Sequence, residues 1–239
     1  MIHWYDSLPS TMDTAHQLAK DGAPHGDAVA ARKQLAGRGR RGHPWYASEG
    51  GLWLSVICRP PSARGLPAPS ATECLSVRVG LALTVVLEHH VPGIRLALKW
   101  PNDVLLHGRK LAGILCEGRW AGSTLSWVVV GVGVNITNAL PDALAAGAIG
   151  LAGATGSPPD VDKLAPEVTA AIAAAGMVNG PLTQGEVAAF DARDALRGRR
   201  LAEPVSGTAA GISDSGALVV IDDSGVPKPI VGGGVIVVS

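Results

Sequence analysis

Residues 37–45 read GRGRRGHPW, a segment in which three glycines are interleaved with three arginines. Glycine lets the backbone turn several N–H groups toward one anion, and arginine offers a permanently charged planar fork that holds phosphate or carboxylate through two hydrogen bonds. The segment therefore predicts a binding loop for a polyanion. Two other interpretations stay open on this segment alone: a solvated basic surface loop, or a patch that holds nucleic acid without sequence specificity.

The spacing of Gly37, Gly39 and Gly42 also satisfies G-x-G-x-x-G, the fingerprint of dinucleotide-binding folds. That fold needs a helix directly after the glycines and an acidic residue about 20 positions further on. Here Pro44 and an aromatic pair follow at once, and the downstream stretch Arg59-Pro60-Pro61 carries no acid. A nicotinamide site is therefore not expected.

A lysine and a polar corner form a second candidate group. Lys110 enters an apolar strand, so its ammonium is either a solvated edge charge or is aimed into a cleft where it meets an anion. The nearby Asn102-Asp103 corner has the oxygen ligands of a Mg²⁺-phosphate site and favours the cleft.

The strand at residues 124–136 has two different faces. Valines occupy one face, at positions 128, 130, 132 and 134, and this face is expected in the core. The opposite face carries Gly131, Gly133 and Asn135, so it has room for a flat ligand and an amide to bind its edge. Close packing of a neighbouring backbone would explain the glycines equally well.

Composition restricts the class of protein. The chain has 20 lysines and arginines and 20 aspartates and glutamates, so the basic loop is a local feature and a general nucleic-acid role is disfavoured. Three cysteines without a C-x-x-C pair argue against a disulfide framework and a zinc site. A signal-peptide pattern is missing, and the apolar runs are shorter than the roughly 20 residues of a spanning helix. We therefore expect a cytoplasmic protein without a membrane partner.

Local patterns predict the elements that must position these groups. Ser10 and Thr11 precede a helical pattern that Gly22 ends, and either hydroxyl is a candidate helix cap. The other predicted elements are strands at residues 27–34 and 51–58, a loop at 60–69, the longest helix at 73–90, and a meander from 95 to 136. Because short turns join antiparallel neighbours, the central sheet is expected to be antiparallel or mixed.

Four motifs carry a resemblance to a known family. GRGRRGHPW, KWPNDV (residues 99–104), GRKLAGILCEG (108–118) and GVGVNI (131–136) occur in the order and at the spacing of the catalytic domain of biotin protein ligases. Residues 196–239 resemble that family's small C-terminal barrel, since GISDSGALVV is hairpin-like with its turn at residues 214–216. The resemblance implies an α+β fold, similar to class II aminoacyl-tRNA synthetases, with a mixed or antiparallel sheet flanked by helices. A catalytic domain is expected at residues 1–193 and an SH3-like β-barrel at residues 194–239.

The resemblance also implies a reaction in two steps. The carboxylate of biotin attacks the α-phosphate of ATP to give biotinyl-5′-AMP and pyrophosphate. A lysine of a biotin carboxyl carrier protein, or of an equivalent acceptor domain, then takes the biotinyl group and AMP leaves. The expected ligands are biotin, ATP and the Mg²⁺ that ATP carries, with no separate metal site. Because the chain begins at the first strand of the catalytic domain, we expect no operator binding, whereas a homodimer stays open.

The resemblance assigns roles to individual positions. Lys110, Arg38 and Arg40 are expected to act in catalysis, Lys110 on the biotin carboxylate and α-phosphate and the arginines in the loop that closes over the adenylate. The expected biotin contacts are Ser10, Thr11, Met12, Gln34, Arg38, Gly39, Arg40, Lys110, Gly113, Gly131 and Gly133. The expected ATP or adenylate contacts are Arg38, Arg40, Trp45, Asn102, Asp103, Lys110 and Asn135.

The chain departs from the family's pattern at three places. Met12 stands where an asparagine is common, His43 replaces a frequent arginine, and residues 139–159 lack the tryptophan that stacks on adenine in some members. Two alternative functions are a lipoate or octanoate ligase of the same fold and a non-enzymatic basic-loop module for nucleic acid or phosphopeptide. The arginine-rich loop resembles the biotin branch, and the lack of another basic cluster argues against the module.

Overall fold

The computed structural model describes residues 1–59, 68–122 and 124–238, and this part of the chain contains two sheets and five α-helices. A single large apolar cluster extends from the larger sheet into the smaller one. Every helix in these ranges falls short of the combination of length and hydropathy that crossing a bilayer requires.

The larger sheet has seven strands in the order β1-β2-β3-β7-β6-β5-β4. These are β1 (Ile2–Leu8), β2 (Ala28–Gln34), β3 (Leu52–Cys58), β4 (Ala97–Lys99), β5 (Asp103–Leu106), β6 (Arg109–Ala121) and β7 (Thr124–Val134). Helix α1 (Thr11–Lys20) connects β1 to β2, which therefore run parallel, whereas the other neighbours are antiparallel. The sheet is thus mixed.

Helices cover both faces of this sheet. Helices α2 (Ala68–His90) and α4 (Val161–Gly176) pack on the face that carries the alternate valines of β7, so the predicted core face is confirmed. Helix α1 packs on the opposite face, against Val29, Ile57 and Val129. The short helices α3 (Leu151–Thr155) and α5 (Gln184–Asp191) follow β7 and α4 along the chain.

The loop predicted at residues 60–69 is only partly covered by the structure. Residues 60–67 lie outside the described ranges. The prediction is wrong for Ala68 and Pro69, which begin α2. Proline is compatible with the first turn of a helix, because the N–H that it lacks would have no partner there.

The smaller sheet is antiparallel and has five strands in the order β11-β10-β9-β8-β12. They are β8 (Arg200–Glu203), β9 (Gly207–Ile212), β10 (Leu218–Asp222), β11 (Pro227–Ile230) and β12 (Ile236–Val237). The predicted hairpin is confirmed between β9 and β10. Its turn is tied to the larger unit, because the buried Trp100 donates its Nε1–H to the Gly216 carbonyl at 2.9 Å.

Candidate functional site

The face of the larger sheet that carries α1 opens into a cavity of about 350 Å³. The start of α1, the corner before β5, strands β3, β6 and β7, and the loop at residues 36–45 contribute to its walls; we call this last segment the arginine loop. Fourteen of the predicted site residues line this cavity: Ser10, Thr11, Met12, Gln34, Arg38, Gly39, Arg40, Trp45, Asn102, Asp103, Lys110, Gly113, Gly131 and Gly133.

Asn135 is the one predicted site residue that is not among the described residues lining the cavity. Its side chain is buried in the turn after β7, where Oδ1 accepts a hydrogen bond from Nδ2 of Asn138 at 3.1 Å. Because β7 ends at Val134, the strand alternation that put Asn135 on the face of Gly133 no longer applies. The structure therefore does not support the predicted adenylate contact of Asn135.

Three polar side chains form a hydrogen-bonded group in the cavity wall. Thr11 donates its backbone N–H and its hydroxyl to Oε1 of Gln34, at 2.8 and 3.1 Å, and its Oγ1 lies 2.8 Å from Oγ of Ser55. Sequence reasoning missed Ser55, which looked like one more residue of an apolar strand. The feature that identifies Ser55 is its place opposite Gly131, and this pairing is seen only in the register of the sheet.

Ser10 occupies the N-cap position of α1, but its hydroxyl makes no capping hydrogen bond. It accepts a hydrogen bond from Nη1 of Arg38 at 3.2 Å instead. The hydroxyl predicted as a cap therefore serves to connect α1 to the arginine loop.

The glycine face of the sheet is covered by two side chains. A Cβ at Gly131 would lie 2.6 Å from Sδ of Met12, and one at Gly133 would lie 2.6 Å from Nε1 of Trp45. Trp45 also reaches Gly113, where a Cβ would lie 3.1 Å from its ring. The nearest neighbours of these glycines are therefore side chains. The alternative interpretation, that a neighbouring backbone packs against the glycines, is wrong.

Positive charge dominates the described lining of the cavity. Its cations are Arg38, Arg40, Arg41, Lys99 and Lys110, whereas Asp103 is the one carboxylate. Nζ of Lys110 lies 2.6 Å from Oδ1 of Asp103 and 5.2 Å from the centroid of the Trp45 ring. The Lys110 ammonium thus faces the cleft rather than standing on a solvated strand edge, and the cavity is suited to a polyanion.

Arg38 is held by a network outside the predicted set. Its guanidinium lies 2.8 Å from Oδ1 of Asp13 and 3.4 Å from Oε2 of Glu117. Glu117 also lies 3.2 Å from Nε2 of His16, whose Nδ1 accepts a hydrogen bond from Trp127. The hydrogen bond with His16, supported by Arg38, lowers the pKa of Glu117 to about 2. Glu117 belongs to the motif GRKLAGILCEG, but sequence reasoning gave neither it nor His16 a role, and its contact with His16 spans 101 positions of the chain.

The arginine loop itself folds back as a tight turn. Gly39 donates its N–H to the His43 carbonyl and Trp45 donates its N–H to the Gly37 carbonyl, both at 2.8 Å. This turn carries Arg40 and Arg41 along the cavity, while Arg38 is fixed to α1 and β6.

The segment between β11 and β12 lines the same cavity through Gly233, Gly234 and Val235. A Cβ at Gly233 would lie 3.3 Å from Nη2 of Arg41, so this segment borders the cationic loop. Sequence reasoning did not place it there, because nothing local relates residue 233 to residue 41.

In the described ranges, no set of three or more His, Cys, Asp or Glu side chains is arranged to hold a metal ion. None of the described cysteines, Cys58, Cys74 and Cys116, forms a disulfide bond.

Comparison with known proteins places the chain among related sequences. The model described as the biotin/lipoate A/B protein ligase family matches residues 4–135, and that of the biotin protein ligase C terminal domain matches residues 197–238. The bifunctional ligase/repressor BirA of Bacillus subtilis is 32% identical over 237 residues, covering 94% of this chain and 70% of that protein. The biotin–acetyl-CoA-carboxylase ligase of Paracoccus denitrificans is 38% identical over 219 residues, covering 82% and 85%.

A solved structure shares the whole architecture. The biotin protein ligase of Aquifex aeolicus in complex with biotin and ATP superimposes with a TM-score of 0.79, at 24% identity, over 99% of this chain and 97% of that chain. The predicted fold class, a mixed sheet flanked by helices with a separate small antiparallel sheet, is confirmed.

Proposed function

We propose, since the chain belongs to the biotin/lipoate A/B protein ligase family and within it to the biotin protein ligases, that it activates biotin with MgATP and transfers the biotinyl group to a lysine of an acceptor protein. The observation that carries this proposal is that one cavity combines a neutral hydrogen-bonding group with a cationic loop and a lysine. The neutral group (Thr11, Gln34 and Ser55) is suited to an uncharged head group, and the cations are suited to a triphosphate.

In the first step, a carboxylate must approach an α-phosphate of the same charge. The ammonium of Lys110 supplies positive charge at this point, and the arginine loop holds the remaining phosphates, so the two reactants are brought together with their repulsion offset. Lys110 is paired with Asp103 before the substrates bind. Magnesium that arrives with ATP is coordinated by phosphate oxygens and one or two carboxylates. Asp103 is the described lining residue suited to that task, which would release Lys110 for the substrates.

In the second step, the acceptor lysine attacks the carbonyl of the acyl-adenylate and AMP leaves. An acyl-adenylate is hydrolysed when water reaches it, so the enzyme must keep the intermediate covered. We assign this role to the arginine loop, with Arg40 and Trp45 over the intermediate. The support for this assignment is that both residues line the cavity and that Arg38 anchors the loop to α1 and β6.

The acceptor is proposed to be the biotin-carrier domain of a carboxylase, as the name of the Paracoccus denitrificans relative indicates for that protein. We place the reaction in the cytoplasm, because the described cysteines form no disulfide bond, which is compatible with a reducing compartment. We further propose that the small domain at residues 194–239 assists ATP binding, because Gly233 and its neighbours border Arg41 in the cavity.

Incubation with biotin, MgATP and a biotin-acceptor domain tests the proposal, with pyrophosphate release and a blot for biotin as readouts. An acceptor whose target lysine is replaced by arginine serves as the control. We expect pyrophosphate without acceptor and labelling only when the target lysine is present. Activation of octanoate or lipoate in place of biotin would favour the other branch of the family, and the absence of both products would overturn the proposal.

A further inference from the structure

The hydrogen bonds around His16 run in one direction. The indole Nε1–H of Trp127 can only donate, so Nδ1 of His16, which lies 3.1 Å away, is an acceptor and carries no hydrogen. The hydrogen of the ring is therefore on Nε2, which donates it to Oε2 of Glu117 at 3.2 Å. Because the His16 side chain is only 10% exposed, these two partners fix the tautomer and the orientation of the ring. The series of donors thus points from Trp127 to the Glu117 carboxylate.

The Glu117 carboxylate in turn holds the guanidinium of Arg38. Its Oε1 accepts a hydrogen bond from Nε of Arg38, and its Oε2 accepts one from Nη2, both at 3.4 Å. Asp13 lies 2.8 Å from the same Nη2, and Ser10 accepts a hydrogen bond from Nη1 at 3.2 Å. Four of the five N–H groups of the guanidinium therefore have partners, and little of its bonding capacity is left for a phosphate.

The two carboxylates that hold Arg38 lie outside the cavity. Asp13 and Glu117 are not among the described lining residues, whereas Asp103, the partner of Lys110, is one of them. The hydrogen bond from His16 lowers the pKa of Glu117 to about 2, which keeps this carboxylate charged at neutral pH. A cation that arrives with the substrates meets Asp103 in the cavity, so the contacts of Arg38 are retained when the cavity is filled.

Arg38 stands at the base of the arginine loop. Its backbone forms an antiparallel bridge with Pro44. On either side of this bridge, the N–H groups of Gly39 and Trp45 donate the two 2.8 Å hydrogen bonds that close the turn. Trp45 continues from this base to cover Gly133. An anchor on the Arg38 side chain therefore determines where the whole loop lies over the cavity.

We infer that Glu117 and His16 are positioning residues, which fix Arg38 and thereby hold the base of the arginine loop in the geometry that retains the acyl-adenylate. The inference rests on the proposed function. Arg38 then acts through the position of the loop, and the phosphates are bound by the other cations of the lining. Neither Glu117 nor His16 touches a substrate, so their loss should affect retention of the intermediate more than its formation.

Glu117→Gln tests this network without a change of volume. A glutamine has one oxygen where the carboxylate has two, so its amide N–H faces either Nε of Arg38 or, in the other orientation, Nη2 and the His16 hydrogen. Donor then meets donor, and the base of the loop loosens. We expect biotinyl-5′-AMP to dissociate about tenfold faster, the effect of a lost hydrogen bond to a charged group. The adenylation rate at saturating substrates should change by less than about twofold, because Lys110 keeps its place on β6.

Hydrogen exchange in the unliganded protein gives a readout that does not depend on activity. The N–H groups of Gly39 and Trp45 should exchange at least about threefold faster in Glu117→Gln, because they open with the base of the loop. Glu88→Gln is the matched control, since Glu88 accepts two hydrogen bonds from Arg193 outside the described lining. This control should lower stability and leave both exchange rates unchanged. Unchanged exchange of Gly39 and Trp45 in Glu117→Gln would overturn the inference.

Two further comparisons assign the effect to the network. His16→Leu removes the donor to Glu117 and should speed dissociation of the adenylate about fivefold, whereas His16→Gln keeps an N–H donor and should restore slow dissociation. In a double-mutant cycle, Arg38→Ala combined with Glu117→Gln should have no larger effect than Arg38→Ala alone, because both changes break the same anchor.

Equal defects in the two His16 variants, or additive effects in the cycle, would contradict the role of these residues even though the wild-type protein activates biotin. A wild-type protein that forms no biotinyl-adenylate would instead overturn the proposed function, and the exchange rates of the unliganded protein would still test the anchor.

Discussion

Replacement of Lys110 by alanine should slow adenylation far more than transfer. In the structure, the Lys110 ammonium lies 2.6 Å from Asp103 and faces the cavity beside the ring of Trp45. The variant removes this charge from the place where the biotin carboxylate and the α-phosphate meet.

The magnitude follows from the charges. Two unit charges about 4 Å apart interact by about 4 kcal/mol at an effective dielectric constant of about 20. The Lys110 side chain is 34% exposed, so solvent screens part of this energy. A net loss of about 3 kcal/mol in transition-state stabilisation corresponds to an adenylation rate about 100-fold lower.

Pyrophosphate release in a single turnover measures the first step, and transfer from presynthesised biotinyl-5′-AMP to an acceptor domain measures the second. Lys163→Ala, which removes an exposed lysine on α4, is the control for a change in net charge. Lys110→Arg should recover only part of the activity, because a planar fork replaces a compact point charge. Equal losses in the two half-reactions, or a change of less than about threefold in adenylation, would refute the reasoning.

Three further substitutions and one hydrogen-exchange measurement test other parts of the site. Arg40→Gly should release biotinyl-5′-AMP and label bystander lysines above the wild-type level, and an inactive variant that releases no adenylate would count against a covering role. Hydrogen exchange in residues 36–45 should slow when biotin and ATP bind, because a bound polyanion adds contacts to this glycine-rich loop. A loop already fully protected without ligands would contradict this. Glu117→Gln should lower the free energy of unfolding at pH 7 by up to about 3 kcal/mol. The pKa of Glu117 is depressed from 4.5 to about 2, so its stabilisation is present above about pH 4.5 and declines as the pH falls toward 2. Urea titrations should show the two proteins converging there, whereas a difference that persists at pH 2 would exclude the charge as its source. Gly233→Ala should raise the KM of MgATP more than that of biotin, because the added methyl group would lie 3.3 Å from Nη2 of Arg41 and because the backbone φ of 95° favours glycine. Equal changes in the two KM values would argue against a role of this segment in ATP binding.

Much of the site could be predicted from the sequence, because short-range spacing encodes local structure. The motif around Arg38 and Arg40 predicted a cationic loop, and the alternation in β7 separated the buried valines from Gly131 and Gly133. These predictions succeeded because side-chain direction alternates along a strand wherever that strand lies. Where the strand ended, the rule ended with it, and Asn135 turned away from the cavity.

The partners of these residues were decided by tertiary structure. Ser55 meets Thr11 across 44 positions, Glu117 meets Arg38 across 79, and Gly233 approaches Arg41 only because the smaller sheet packs beside the larger one. Contacts of this kind depend on how separate elements pack and on which polar groups must be satisfied once they are buried. The sequence by itself therefore determined the family, the cationic loop and the faces of the strands. The packing of those elements decided which hydroxyls meet, which carboxylate anchors the loop, and which side chains cover the glycines.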